Sequence, residues 1–118
     1  MSYDEIPDFC GCDVDEVLSQ GNLETLRILA LSFATHSESP EQAEAVCLRL
    51  AGHEDGVVRG NAVLGLGHVA RIHRALTERL ARPAIQAALR DHDWWVRQQA
   101  GSAASDVELF LKWKLDRP

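Results

Sequence analysis

The sequence has no apolar run approaching the ~18 residues that a membrane span needs. Its start, "MSYDEIPDFCGC", has no basic region leading into an apolar one, as a secretory signal would. A soluble, cytoplasmic protein with no membrane contact is therefore expected. The chain is also short of positive charge: 12 Lys and Arg against 18 Asp and Glu leave a formal net charge of -6. Phosphate binding needs a basic surface, so nucleic acid is not an expected partner. An acidic surface instead speeds encounter with a basic protein. Cysteine is sparse. Cys10, Cys12 and Cys47 are an odd number, which does not fit a disulfide scaffold.

Motifs for catalysis are missing as well. Cys10 and Cys12 are spaced C-x-C rather than C-x-x-C, and no second Cys or His pair follows at zinc spacing. His36, His53, His68, His73 and His92 are scattered and form no H-E-x-x-H. Ser32, Ser37, Ser39, Ser102 and Ser105 lack a G-x-S-x-G elbow. The carboxylate pairs Asp91/Asp93 and Glu54/Asp55 fall in turns, where caps attract such residues anyway. No catalytic, cofactor-binding or metal-binding residue is assigned, and a non-enzymatic protein is expected.

What is present is a globular composition. The 118 residues are 46% hydrophobic and 25% charged, which fits one domain with a real core. Residues 1–12 read as irregular. Asp13 and Glu16 have capping-box spacing, and Gly21 suits a helix end. Asn22 caps "LETLRILALSFATHS", whose faces are mostly apolar. In "SPEQAEAVCLRLAGH", Ser39 is the cap, Pro40 takes the first helical position, Gln42 completes S-x-x-Q, and Gly52 ends the helix. Asp55 caps the next helix, where Val58, Ala62, Leu66 and Val69 form one stripe. Pro83 starts or kinks a helix in "TERLARPAIQAALRDH". Asp93 caps the last long segment, with Val96, Ala100, Ala103, Ala104 and Val107 as its apolar stripe. No segment alternates as a strand does, so the expected class is all-α.

One stretch competes with that reading. Gly65-Leu66-Gly67-His68-Val69-Ala70 matches G-x-G-x-x-A, a dinucleotide fingerprint. Such a fingerprint must follow a strand and open a helix. Here it sits mid-helix, and the position about 20 residues on, where an acidic residue belongs, falls among Pro83, Ala84, Ile85, Gln86 and Ala87. The alternative is close helix packing at Gly60, Gly65 and Gly67, at a cost of ~1 kcal/mol per glycine relative to alanine.

Two parts of the chain correspond. "LAGHEDGVVRGNAVLGLGHV" aligns with "LRDHDWWVRQQAGSAASDV", pairing Asp55 with Asp93, Val58 with Val96, Arg59 with Arg97, Ala62 with Ala100 and Val69 with Val107, each 38 positions apart. That period is close to the ~40–47 residues of two-helix repeats. The pattern D-x-x-V-R-x-x-A after a leucine-rich helix resembles the HEAT repeat and its short HEAT-like relatives. The resemblance covers about residues 40 to 110. It implies a short α-α superhelix with two clear helix pairs, residues 39–75 and 77–118, the latter including a C-terminal cap. Residues 13–38 would be a degenerate capping unit within the single domain. It also implies that Asp55 and Asp93 cap, that Val58, Val96, Ala62 and Ala100 pack, and that Arg59 and Arg97 contact the neighbouring unit.

Solenoids bind along their second helices and turns. The candidate partner-binding residues are accordingly Glu54, Asn61, His68, His92, Trp94, Gln98, Gln99 and Asp106. Trp94 and Trp95 stand where the earlier unit has Gly56 and Val57. Neighbouring helical positions diverge by ~100°, so one ring packs and the other is at least partly exposed. Trp113 is expected on a helix covering the open end. The resemblance implies a protein-protein interaction module, most specifically an immunity protein that binds and neutralises a bacterial toxin. A basic toxin domain, such as a nuclease, suits the charge. The alternative is an accessory protein for an enzyme or chromophore complex, as in HEAT-like bilin lyases. A small enzyme like the HEAT-like DNA glycosylases ranks last, because the chain lacks a basic groove.

Overall fold

The computed structural model describes residues 6–118. Part of the irregular segment expected at 1–12 therefore lies outside the described residues. Six helices follow in order: α1 (Val14–Gln20), α2 (Leu23–His36), α3 (Pro40–Leu50), α4 (Gly56–His73), α5 (Glu78–Leu89) and α6 (Trp94–Phe110). No strand occurs among the described residues, so the protein is all-α.

Local chemistry starts most of these helices. The side chains of Asp13, Asn22, Ser39, Asp55 and Asp93 each accept a backbone N–H from the first helical turn, satisfying donors that the helix itself leaves free. Gly21 closes α1 in the left-handed conformation, at φ 67. Gly52 does not play that part in α3, contrary to expectation: the helix stops at Leu50 with Ala51 as its right-handed cap. Pro83 lies inside α5 rather than at its start.

The start of α5 is capped from outside. Thr77 makes no side-chain cap. Instead Glu44 of α3, buried, accepts the Thr77 N–H at 2.6 Å and the Thr77 hydroxyl at 2.8 Å. One carboxylate thereby satisfies an α5 donor and ties two helices 33 residues apart.

Helices α2, α4 and α6 lie side by side in one layer, with α3 and α5 packed against them. Helix α4 is central and touches α2, α3, α5 and α6. It is a continuous helix through Gly65 and Gly67, so the G-x-G-x-x-A match is helical packing. A Cβ on Gly67 would lie 2.9 Å from the Ala103 Cα of α6, and one on Gly65 would lie 2.7 Å from the Cys47 sulfur. Both distances are closer than real Cβ contacts allow. The glycines let backbones approach where any side chain would hold them apart.

The C-terminus departs from expectation. Helix α6 ends at Phe110, Lys112 adopts a left-handed φ of 61, and the Trp113 N–H returns to the Val107 carbonyl at 3.3 Å. Trp113 therefore sits on a non-helical tail. Its ring lies under the Arg82 guanidinium, 5.7 Å from ring centroid to Cζ. Arg82 donates to the Lys114 carbonyl, and the Asp116 N–H donates to Gln86. Trp113 and Leu115 pack on the core.

Candidate protein-binding surface

The turns before α4 and α6 share one hydrogen-bond plan. Asp55 accepts the Val58 N–H at 3.0 Å, and Asp93 accepts the Trp95 N–H at 2.8 Å. Two residues earlier, His53 Nδ1 accepts the Asp55 N–H and Asp91 Oδ1 accepts the Asp93 N–H, both at 2.9 Å. Four residues after each cap, an arginine folds back. Arg59 Nη1 donates to the carbonyls of His53 and Glu54, and Arg97 Nη1 donates to the carbonyl of Asp91 at 2.7 Å.

The arginines then differ. The Nε and Nη2 of Arg59 form a two-pronged bond with the Asp91 carboxylate at 2.9 and 3.0 Å. Both side chains are largely buried, at 13% and 14% exposure. Arg27 of α2 grips Asp55 in the same way at 3.1 and 3.0 Å. These forks link successive turns along one edge and set their electrostatics. The Arg27 hydrogen bond holds Asp55 down to about 2, and the Arg59 hydrogen bond lowers Asp91. No carboxylate pairs with Arg97 among the described residues.

The eight candidate partner-binding residues divide. Glu54, His92, Trp94 and Gln98 are exposed. The Arg59 bonds to the Glu54 carbonyl and the Asp91 carboxylate bring their turns together. The other four are engaged between helices. Asn61 donates to the Arg27 carbonyl at 2.7 Å, tying α4 to α2. The Gln99 side chain faces Gly60, and the Asp106 carboxylate faces Gly67, where burial raises its pKa. His68 corrects the expected outward stripe: it is 3% exposed, and burial pushes its pKa down to about 4. Its Nδ1 lies 3.1 Å from Arg71. The reason is the central place of α4, whose sides are taken by α2 and α6. Of the tryptophans, Trp94 is 63% exposed and Trp95 is 38% exposed, its ring edge against Gly60.

The sequence reading missed two functional features. Arg27 stands five residues after its cap where Arg59 and Arg97 stand four after theirs, so it falls outside the 38-residue correspondence. The second is the distribution of charge. Residues 1–26 contain seven Asp and Glu and no Lys or Arg, while the rest contains eleven acidic and twelve basic residues. Asp8, Asp13, Asp15, Glu16 and Glu24 are all exposed on that acidic end.

Other groups show little reactive chemistry. Burial pushes Cys10 up to about 11 and Cys47 up to about 12, and raises Cys12, so these thiols stay protonated at neutral pH. No three His, Cys, Asp or Glu side chains converge on a metal position among the described residues. A cavity of about 270 Å³ between α3 and α5 is lined by Leu48, Ala51, Ala84, Ala87, Ala88 and Val96. Its one carboxylate, Asp91, is already held by Arg59. No helix among the described residues is long and apolar enough to cross a membrane.

No family model matches this sequence, and no curated protein matches it. Among solved structures, the chain is similar to a chain of the CDI complex from Cupriavidus taiwanensis LMG 19424. The two are 27% identical, with 93% of this chain and 97% of that chain covered and a TM-score of 0.77.

Proposed function

We propose that this chain is an immunity protein of a contact-dependent inhibition system, one that binds a toxin domain in the cytoplasm and holds it inactive without catalysis of its own. The likeness to a chain of a CDI complex carries this reading, because it extends over nearly the whole of both chains. The exposed Trp94, aromatic and beside polar groups, supports it, since tryptophan is enriched in binding hot spots. The acidic excess of residues 1–26 favours a toxin of net positive charge, which it would attract from a distance. We further propose that the scaffold is a HEAT-like stack. Its support is the shared plan of the two turns: the same cap, the same preceding acceptor and the same back-folding arginine recur 38 residues apart.

The test uses the product of the reading frame immediately upstream of this gene, purified and titrated with this protein by calorimetry. A one-to-one complex with a Kd on the order of nanomolar is expected. Absence of a complex at up to about 10 μM would sink the reading.

A further inference from the structure

The internal correspondence says what covers each face of the stack. Gly56, Gly60, Val63 and Gly67 form one stripe of α4. That stripe receives the following unit: the Asp93 carboxylate lies at Gly56, the Trp95 ring at Gly60 and the Ala103 backbone at Gly67. Val63, within the stripe, is buried. Shifted by 38 positions, the stripe becomes Trp94, Gln98, Gly101 and Ser105 of α6. Among the described residues no helix follows α6, and only residues 111–118 reach that side. Arg117 bonds to Glu108 and to the Ser105 hydroxyl, so the tail occupies the C-terminal half. The N-terminal half is bare: Trp94 and Gln98 are exposed, and a Cβ on Gly101 would meet nothing within 4 Å.

We infer that this bare half-face, built from Trp94, Arg97, Gln98 and Gly101, is where the partner protein docks, and that the partner meets it with a turn presenting a carboxylate to Arg97. The inference rests on the proposed role as a binder of a partner protein. Arg59 shows the chemistry. Its Nη1 holds carbonyls of its own turn, and its Nε–Nη2 edge takes the Asp91 carboxylate of the next unit. Arg97 is held by its Nη1 in the same way, which orients a fork that no carboxylate of the described residues fills. A planar guanidinium fork matches a carboxylate with two parallel bonds, so the partner's residue is Asp or Glu rather than a neutral side chain. Trp94 excludes a second copy of the same helix pair. At Gly56 the covering turn comes within 2.0 Å of the Cβ position, a space that Trp94 fills with an indole. The occupant therefore stacks an apolar group on Trp94 at greater distance. A local carboxylate is compatible with a partner of net positive charge, because long-range attraction acts through the acidic end and the short-range fork acts here.

The test measures binding of the upstream frame's product to wild type, Trp94→Ala, Arg97→Glu and Gly101→Trp, with thermal unfolding of each variant alone. All three positions have solvent beside them, so the unfolding midpoints should stay together. Each substitution should weaken the complex by roughly tenfold or more, and hydrogen exchange of the wild-type complex should be slowed over residues 94–101. Three variants that bind as wild type does would overturn this inference and leave the proposed function standing. A wild type that forms no complex would overturn both. Dimerisation of the protein alone that Trp94→Ala abolishes would assign the face to a second copy and overturn the inference.

Discussion

The turn before α4 and the turn before α6 are built alike, yet one is a joint and the other an edge. Both have an aspartate cap, an acceptor two residues before it and an arginine folded back on the turn. At the inner turn the arginine also holds Asp91, and glycines admit the next helix. At the outer turn the equivalent arginine holds no carboxylate of the described chain, and tryptophan and glutamine replace Gly56 and Gly60. The same local design thus serves cohesion where a unit follows. Where no helix follows among the described residues, it leaves an oriented cation beside an exposed indole.

The largest expected contrast is between the two arginines. Arg59→Ala removes one partner of a largely buried pair and leaves the Asp91 carboxylate without its guanidinium, with the Asp93 N–H still bonded to it. A loss of about 4 kcal/mol is expected. Arg97→Ala, exposed, should change stability by no more than about 0.5 kcal/mol. Urea unfolding of the two variants checks this, and equal losses would erase the distinction between joint and edge.

The next contrast concerns His68 and Asp106, which occupy equivalent positions 38 residues apart. Burial lowers His68 to about 4 from 6.5. The unfolded chain takes up this proton as pH falls below 6.5 and the folded chain does so only near 4. Stability is therefore full above 6.5 and declines across that window, by on the order of 3 kcal/mol. Burial raises Asp106, so its contribution has the opposite sense: present at low pH and lost as pH rises above 3.8. His68→Gln should flatten the decline between pH 6.5 and 4 in pH-dependent denaturation, and an unchanged decline would assign it to other groups. The Arg27–Asp55 pair acts lower. Asp55 is held down to about 2 from 3.8, so its contribution is present above 3.8 and disappears as pH falls toward 2.

The smallest contrast is a single substitution with opposite signs. Gly67→Ala places a Cβ 2.9 Å from the Ala103 Cα. Overpacking outweighs the better helix propensity and costs about 1 to 2 kcal/mol. Gly101→Ala meets nothing within 4 Å and should stabilise by about 0.5 to 1 kcal/mol. Thermal unfolding separates the two, and a shared sign would contradict the assignment of an inner and an outer face.

How far the sequence foretold this depends on how local the cause is. The caps at Asp13, Asn22, Ser39, Asp55 and Asp93 were readable because a cap needs only its own next few residues. The stripes Val58, Ala62, Leu66, Val69 and Val96, Ala100, Ala103, Ala104, Val107 were readable from period alone, and all are buried. Thr77 was not, because its partner Glu44 is 33 residues away. His68 was misplaced because a periodic pattern marks the apolar stripe of α4 but not how many neighbours cover its other sides. Gly52 misled as punctuation, since α3 ended without a left-handed residue, whereas Pro83, read as starting or kinking a helix, lies inside α5. The tail turns away at Lys112, a non-glycine left-handed residue for which the sequence carries no signal.

The most direct test of the proposed role is growth. The product of the upstream reading frame would be expressed in cells with and without this chain, and colony formation counted. Arrest by that product alone, with growth restored when this chain is co-expressed, is the expected result. Arrest that persists with this chain present at equal or greater level would contradict the role assigned to it.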